Sequence, residues 1–363
     1  MRFEQIHIEV TSRCNFSCEF CPSSTMTRIR GDMDYALLCK ALDEISHEEL
    51  TEWIMFHVMG EPLLYPKLVD AVKYAKINKL KVCLITNGAA FTETLLDELL
   101  EADIDKIVFS VQTPDKRSFN LRKANIHYEE YKKCITSSIA KIVESAGNAT
   151  ATLSFLTTPL RSFLLPSKKY NIISTKAELA QDFMYWLQDI IGFLSKKDLR
   201  IKLLGNMDRI KSKLSKLSMF GWNKLLLTDK LTLESRMLGD WIHPALYRDK
   251  FKKAIFGCCE GLTRHFGILW NGDMVFCCVD FDGHTRFANL KESSIKDAFH
   301  KEDVTAVIKG FKKLRIIHPY CQRCLGDISF SHAFMRQLGS IAYFKLYRKW
   351  WEVQRSKKRV LIT

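Results

Sequence analysis

The segment at residues 5–21, QIHIEVTSRCNFSCEFC, joins a strand pattern directly to a loop with three cysteines. Its first six residues alternate apolar and polar side chains, which predicts a strand. In parallel α/β proteins, ligands bind at the carboxyl ends of the strands. The segment therefore predicts a cysteine site at the edge of a parallel sheet.

Strand and helix patterns alternate from this segment onward. Strands rich in Ile, Val, Leu or Phe are predicted at Gln5–Val10, Glu52–Val58, Leu80–Thr86, Lys106–Val111 and Thr150–Leu156. Helices are predicted between them at Tyr35–Ile45, Lys67–Ile77, Thr92–Glu101 and Tyr128–Ser145, with Thr92 as an N-cap. Strict alternation predicts βαβ units, a parallel sheet and a full or partial barrel.

The alternation loosens after residue 160. A helix is predicted at Lys176–Leu194, followed by strands at Arg200–Leu204 and Leu225–Glu234 with a lysine-rich helical piece between them. The last barrel strand is expected in this region. Residues 257–330 are rich in Cys, Gly and aromatic residues, with short strands at Gly267–Trp270 and Met274–Cys277 around the Asn271-Gly272 turn. This composition predicts a small metal-dependent module.

We predict three domains. Residues 1–235 form the α/β barrel, residues 236–330 the metal-dependent module, and residues 331–363 a basic amphipathic helix that runs from Phe334 to Arg359. The last domain holds eight Lys or Arg against one acid, Glu352, and supplies half of the net charge of +14. Such a helix could lie on an anionic membrane surface, or pack its aromatic stripe on the barrel. Nucleic acid is disfavoured because the basic residues are confined to this tail.

The composition favours metal chemistry over disulfide bonds. The hydrophobic fraction of 47% and the charged fraction of 26% are those of a soluble globular protein. The N-terminus shows no export signal, and no apolar run approaches the length of a membrane span. Twelve cysteines are then expected in the reducing cytoplasm, free for metals or redox work. The isolated Cys39, Cys83 and Cys134 are predicted to be buried as small hydrophobic residues.

Cys14, Cys18 and Cys21 have the spacing C-x3-C-x2-C. Three thiolates from one short loop can bind three irons of a [4Fe–4S] cluster and leave the fourth iron without a protein ligand. That open position would let a small molecule bind the cluster and receive its electron. Zinc is the weaker alternative, because no fourth ligand lies nearby in the sequence.

With Phe20 before the last cysteine, this spacing resembles the signature of the radical S-adenosylmethionine (SAM) superfamily, and the resemblance covers most of the first 160 residues. Gly60-Glu61-Pro62 resembles the motif that receives the amino group of the methionine moiety, although Met59 stands where many members have glycine. Each glycine or proline could also make an ordinary turn.

Further positions that resemble the family's cofactor-binding residues follow the next predicted strands. Asn87, in Thr86-Asn87-Gly88, ends the third strand as in many members, and Asn87-Gly88 is also an ordinary turn pair. Ser110 and Gln112 occupy positions where members place polar groups against the ribose and carboxylate.

The resemblance implies a fold and a reaction. The fold is a partial (β/α)6 TIM-type barrel, and the reaction is the reductive cleavage of SAM to methionine and a 5′-deoxyadenosyl radical that removes a hydrogen atom from substrate. An electron donor such as flavodoxin or ferredoxin is implied as a partner. The cofactor supplies the difficult chemistry, while the barrel orients the radical and excludes water.

Cys259, Cys277, Cys321 and Cys324 offer four thiolates, a complete set for one auxiliary [4Fe–4S] cluster. Their C-x12-G-x4-C and C-x2-C arrangement resembles the SPASM and twitch modules of many radical SAM enzymes. Because no cysteine follows Cys324, the resemblance favours the twitch form with one auxiliary cluster. Structural zinc on the same four thiols is the alternative.

Cys258 and Cys278 are the remaining members of the doublets Cys258/Cys259 and Cys277/Cys278 and are predicted not to be ligands, although either could exchange roles with its neighbour. A spare thiol could donate a hydrogen atom to a substrate radical, as in radical SAM epimerases, or could be buried without function. Asp280, Asp282 and His284 follow the second doublet and could reach a pocket or be solvated.

Three functions remain open at this point. The first is oxidation or epimerisation of an alcohol carbon on a sugar, cyclitol or nucleotide-linked sugar, because the second cysteine set resembles that of radical SAM dehydrogenases of aminocyclitol biosynthesis. The second is modification of a ribosomally made peptide, which we disfavour because the barrel begins within the first few residues. The third is a non-catalytic iron–sulfur or zinc scaffold at a membrane surface, which would have no use for a SAM site.

Overall fold

A computed structural model describes residues 1–159, 170–219, 222–238 and 250–348. These residues form two compact units. The first unit contains residues 1–12, 25–59 and 250–348, and the second unit contains residues 13–24, 60–159, 170–219 and 222–238. Each unit combines segments that are separated in the sequence but packed together. The three domains predicted from the sequence remain a prediction.

The strands and helices of the described residues have the following bounds. The strands are β1 (Ile6–Ile8), β2 (Trp53–Phe56), β3 (Lys81–Thr86), β4 (Lys106–Gln112), β5 (Thr150–Thr157), β6 (Trp222–Leu226), β7 (Leu231–Met237), β8 (Gly267–Ile268), β9 (Asp273–Val275) and β10 (Ala288–Asn289). The helices are α1 (Tyr35–His47), α2 (Leu68–Ile77), α3 (Glu93–Glu101), α4 (Lys116–Phe119), α5 (Tyr128–Glu144), α6 (Lys176–Phe193), α7 (Lys197–Gly205), α8 (Met207–Leu214), α9 (Ile295–His300), α10 (Glu302–Lys312), α11 (Pro319–Cys324) and α12 (Phe330–Ile341).

Each unit contains its own run of paired strands. In the first unit the order is β10-β9-β8-β1-β2, where β8, β1 and β2 are parallel and β9 is antiparallel to both neighbours. In the second unit the order is β3-β4-β5-β7-β6, where the first four strands are parallel and β6 is antiparallel to β7. The predicted α/β class with parallel strands is confirmed.

Local sequence explains most of these elements. The five early strands and the helices between them lie within about two residues of their predicted bounds, which is the usual uncertainty of element ends. Thr92 caps α3 as predicted, since its hydroxyl accepts a hydrogen bond from the backbone N–H of Leu95. In α1 the buried side chains recur with helical spacing, at Leu37, Leu38, Ala41, Leu42 and Ile45.

Two predictions between residues 195 and 240 were wrong. The predicted strand at Arg200–Leu204 lies within α7, because Lys, Arg and Leu are strong helix formers and the segment has no strict alternation. The predicted strand at Leu225–Glu234 is a hairpin of β6 and β7. Its turn is closed by Thr228, whose hydroxyl accepts hydrogen bonds from the N–H groups of Lys230 and Leu231.

The single cysteines and the C-terminal helix also differ from expectation. Only Cys83 is buried, while Cys39 and Cys134 are half-buried. The described part of the C-terminal helix is α12 with a π-helix at Ala342–Tyr347, and the predicted helix beyond residue 348 lies outside the described residues. In α12 the buried residues are Ala333, Gln337 and Ser340, whereas large apolar side chains such as Phe330, Phe334 and Leu338 are exposed. In the described ranges, no helix has both the length and the hydropathy needed to cross a bilayer.

Candidate active site

The loop with the first three cysteines belongs to the second unit and is held by backbone hydrogen bonds. Ser17 and Glu19 donate to the carbonyls of Arg122 and Leu121, at 3.3 and 2.8 Å. Within the loop, the N–H of Cys21 donates to the carbonyl of Cys18 at 3.0 Å. These hydrogen bonds fix the loop against the segment at residues 121–122.

The three thiols of this loop lie close together in a buried setting. Burial raises the pKa of Cys14 to about 11 and that of Cys21 to about 12, and it also raises the pKa of Cys18. After burial, the nearby Glu61 and Cys18 also raise the pKa of Cys14, and Cys18 and Cys14 raise that of Cys21, so the three thiols are neighbours. Thiolates need a compensating cation in such a place, and iron is a common partner of three converging cysteines. These residues fit a [4Fe–4S] cluster.

Arg122 is a site residue that the sequence reasoning missed. It is buried, and its Nη1 donates to the carbonyls of Ser110 and Val111, at 2.9 and 2.8 Å, and to Gln112 Oε1 at 3.2 Å. Its positive charge lowers the pKa of all three cysteines of the first motif. No sequence signal separates Arg122 from the surface cations around it.

The loop at Gly60-Glu61-Pro62 is tied to the end of β3. Gly60 has a φ of +81°, which favours glycine. The buried carboxylate of Glu61 accepts hydrogen bonds from Thr86 Oγ1 at 2.5 Å, from the N–H of Asn87 at 2.6 Å and from the N–H of Leu63 at 3.1 Å. Burial raises the pKa of Glu61 to about 6, although these hydrogen bonds oppose the shift. Glu61 therefore connects its loop to the end of β3. Contact of this loop with SAM remains a prediction.

The other predicted cofactor-binding residues also lie in the second unit. Asn87 Nδ2 donates to Asn15 Oδ1 at 2.8 Å and lies 3.9 Å from Cys14 Sγ. Arg122 donates hydrogen bonds to the carbonyl of Ser110 and to the side chain of Gln112. Gln112 has a φ of +61° at the point where the register between β4 and β5 shifts. Phe20 is buried edge-on against a tyrosine ring. The structure thus places Asn87 beside the cysteine loop, while the binding roles of these residues remain a prediction.

The second cysteine set lies in the first unit. Burial raises the pKa of Cys277, and the nearby thiols of Cys259, Cys278, Cys324 and Cys321 raise it further. The pKa of Cys321 is raised by burial and then by Cys259 and Cys324. The four predicted ligands are therefore neighbours. In the part of the chain that the structure describes, no three Cys, His, Asp or Glu side chains surround a single-ion position.

The remaining members of the doublets differ from each other. Cys258 is buried, and its N–H donates to Ser340 Oγ at 3.0 Å. Cys278 is half-buried beside Cys277. This arrangement supports Cys259 and Cys277 as the ligands, which remains a prediction.

Asp280, which follows the second doublet, forms hydrogen bonds that close a backbone turn. The buried Asp280 accepts hydrogen bonds from the N–H groups of Gly283, His284 and Thr285. Gly272 of the motif has a φ of +91°, and a Cβ there would lie 2.9 Å from Asn289 Oδ1. Asp280 thus closes a turn and is neither solvated nor free to reach a ligand.

Substitutions in the doublets are expected to separate ligands from neighbours. Cys259→Ala and Cys277→Ala should lower the iron content from about eight to about four per chain, because a cluster needs four thiolates. Cys258→Ala and Cys278→Ala are the matched controls and should keep about eight. Iron and sulfide are measured after anaerobic reconstitution. Zinc at about one per chain, with iron unchanged by Cys277→Ala, would contradict the auxiliary cluster.

Two family models match the chain. Residues 8–149 match the model of the radical SAM superfamily, and residues 258–325 match SPASM, an iron–sulfur cluster-binding domain. Each match falls on one of the two cysteine sets. The auxiliary site predicted from the second set therefore coincides with a known type of cluster-binding domain.

Similar proteins cover part of the chain. A tungsten-containing aldehyde ferredoxin oxidoreductase cofactor-modifying protein of Pyrococcus furiosus is 36% identical over 106 residues, 29% of this chain and 30% of the relative. An S-adenosyl-L-methionine-dependent 2-deoxy-scyllo-inosamine dehydrogenase of Niallia circulans is 34% identical over 120 residues, 32% of this chain and 48% of the relative. The chain thus matches less than half of the length of these curated relatives.

A solved structure has the same fold. Streptococcus suis SuiB bound to S-adenosylmethionine superposes with a TM-score of 0.53 at 16% sequence identity. The match covers 85% of this chain and 68% of SuiB.

Proposed function

We propose that the chain, which carries a radical SAM domain at residues 8–149 and a SPASM iron–sulfur domain at residues 258–325, oxidises an alcohol carbon of a sugar, cyclitol or nucleotide-linked sugar. The observation that carries the proposal is the second set of four neighbouring thiols, because an oxidation must dispose of one electron after hydrogen abstraction. The likeness to an aminocyclitol dehydrogenase supports the substrate class. Epimerisation of the same carbon is the other outcome that we test.

Each group of residues has a part in this proposal. Cys14, Cys18 and Cys21 would hold the cluster that binds SAM, and when bound this cofactor supplies the radical that removes a hydrogen atom from substrate. The loop at residues 60–62 and the side chains of Asn87, Ser110 and Gln112 would orient SAM, with Phe20 packed behind the last cysteine. The four thiols of the second set would hold the auxiliary cluster that takes up the electron.

The overall balance of the oxidation is simple. The alcohol carbon would lose a hydrogen atom, the hydroxyl a proton and the resulting substrate radical one electron, which leaves a carbonyl. A cluster held by the four thiols of the second set would supply the acceptor for that electron. An electron donor such as flavodoxin or ferredoxin would start each turnover. We also propose an anionic membrane surface as a partner, because residues 331–363 hold eight Lys or Arg.

The assay of the function uses anaerobically reconstituted full-length protein. It is incubated with SAM, dithionite and either 2-deoxy-scyllo-inosamine, UDP-glucose or a candidate precursor peptide. The proposal expects 5′-deoxyadenosine together with a polyol product lighter by two hydrogens. Product from the peptide alone would favour peptide modification, and the lack of 5′-deoxyadenosine with any reductant would favour a scaffold.

Substitution of the spare thiols separates oxidation from epimerisation. For an oxidation, Cys258→Ala and Cys278→Ala should each keep their turnover, because no thiol has to return a hydrogen atom to the substrate carbon. In D2O no deuterium should enter at the reacting carbon. Deuterium uptake by the wild type, with turnover lost in one of the two variants, would identify that cysteine as the hydrogen donor of an epimerase.

A further inference from the structure

The helix α12 of the first unit has an unusual distribution of polar and apolar side chains. Its buried residues are small or polar, namely Ala333, Gln337 and Ser340. Its large apolar side chains are exposed instead, namely Phe330, Phe334, Met335 and Leu338. A surface helix of a soluble protein normally has the opposite arrangement. Packing of the described residues therefore leaves an apolar side of α12 uncovered.

The polar side of α12 faces the protein because it satisfies a backbone segment there. Gln337 Oε1 accepts hydrogen bonds from the N–H groups of Ile255 and Phe256, at 2.9 and 3.1 Å. Ser340 Oγ accepts the N–H of Cys258 at 3.0 Å. Buried backbone groups need such partners, so these bonds fix which side of the helix faces inward. The apolar side is held outward as a consequence.

The exposed apolar side chains form one continuous surface. Phe330, Phe334 and Leu338 recur every four residues and so lie on the same side of the helix. The rings of Phe330 and Phe334 are stacked with their centroids 6.5 Å apart. Ile255 is also exposed, and its N–H is bonded to Gln337, so it lies beside the helix. We define the α12 face as Ile255, Phe330, Phe334, Met335 and Leu338.

The segments around the α12 face are strongly basic. The N–H of Gly257 donates to the carbonyl of Leu314, and that of Ile316 donates to the carbonyl of Ile255, at 2.9 and 3.2 Å. Residues 311–318 therefore run beside residues 251–257. Together with residues 327–347, these segments hold seven Lys or Arg and one acid, Asp327. Six of the cations are exposed, namely Lys252, Lys253, Lys312, Lys313, Arg315 and Lys345.

This combination of side chains indicates the kind of partner. Exposed apolar patches mark contact with a protein or a membrane. A second copy of the chain would bring two sets of positive charges together, which disfavours that occupant. An anionic bilayer complements both features, because apolar side chains enter the boundary between headgroups and acyl chains and cations meet the anionic headgroups. The sequence beyond residue 348 adds five Lys or Arg and two Trp against one acid.

We propose that the α12 face, with the exposed cations around it, is a docking surface for an anionic lipid bilayer. The apolar side chains of the face enter the bilayer boundary, and the lysines of residues 252–253 and 312–313 meet the anionic headgroups. This inference rests on the membrane partner proposed above and adds the residues that form its surface. It does not depend on the reaction that the protein catalyses.

The first test measures flotation of the full-length reconstituted protein with lipid vesicles. The vesicles contain phosphatidylcholine alone or phosphatidylcholine with about 30% phosphatidylglycerol. The wild type should bind only the anionic vesicles, and binding should weaken at high salt because salt screens exposed charges.

Phe330→Gln tests the apolar part of the surface. It should lower the partition coefficient by about 10-fold or more, because the burial of one large apolar side chain is lost. Ile77→Gln is the matched control, because Phe330 and Ile77 are 74% and 75% exposed, each on a helix. This control should bind as the wild type does.

A paired substitution tests the charge. Lys312→Gln combined with Lys313→Gln should lower the partition coefficient by about 10-fold or more, because two cations near the bilayer are lost. Lys73→Gln combined with Lys79→Gln removes the same charge at exposed positions of the second unit and should bind as the wild type does. Iron content and the thermal midpoint confirm that each variant folds.

Several outcomes would overturn the docking surface. They are a wild type that does not bind anionic vesicles, a Phe330→Gln variant that binds as tightly as the wild type, and equal losses in the test and control variants. A dimer that Phe330→Gln dissociates, in a protein that binds no vesicles, would assign the α12 face to a second copy.

The outcomes also separate this inference from the proposed oxidation, because the vesicle test contains neither SAM nor substrate. A protein that docks through the α12 face but oxidises no polyol overturns the reaction alone. A protein that oxidises a polyol but binds no vesicles overturns the docking surface alone.

Discussion

Cys18→Ala is expected to lower 5′-deoxyadenosine formation by more than about 100-fold, because loss of even an outer partner of a metal ligand costs up to that much. Cys18 lies in the middle of the buried loop, and its proximity raises the pKa of both Cys14 and Cys21. Without it, two thiolates remain for a cluster that needs three. Iron should fall from about eight to about four per chain, the share of the auxiliary cluster.

Cys134→Ala is the matched control for this prediction. Cys134 is also a half-buried cysteine of the second unit, and its thiol lies near the carbonyls of Gly88 and Phe91 rather than near the three-cysteine loop. It should keep both the iron and the activity. Normal SAM cleavage by Cys18→Ala would remove the basis of the proposed function.

Arg122→Met is expected to destabilise the protein by about 3 kcal/mol and to reduce retention of the first cluster. The substitution leaves the carbonyls of Ser110 and Val111 and the side chain of Gln112 without their donor in a buried place. It also removes the charge that lowers the pKa of the three cysteines, so their thiolates become harder to form. Urea unfolding and iron content measure the two effects.

Two variants distinguish the charge of Arg122 from its hydrogen bonds. Arg122→Lys keeps the charge but cannot make all of the contacts, so it should lose stability and retain more iron than Arg122→Met. Arg117→Met, on α4, changes an exposed arginine and should shift stability by less than about 0.5 kcal/mol. Unchanged stability and full iron in Arg122→Met would show that this residue does not support the loop.

Short-range patterns predicted the early fold well. The strands and helices up to Thr157 follow the spacing of apolar residues, and the cap at Thr92 forms between neighbours in sequence. The hairpin of β6 and β7 was missed because its turn depends on the hydroxyl of Thr228, for which no glycine or proline gave a signal. The helix α7 was missed because a short apolar run is ambiguous between strand and helix.

The cysteine spacing by itself predicted the first candidate cluster site, since ligands from one short loop stay close in any compact fold. The second set spans residues 259–324 and was predicted from its resemblance to SPASM and twitch modules, and the fold makes its thiols neighbours. Only the tertiary structure decided which groups surround them. Arg122 comes to the first cysteine set from a distant part of the sequence, and no local pattern marks a cation that will be buried. Burial removes water from these groups and makes their pairing obligatory, and burial is a property of the folded chain rather than of any segment.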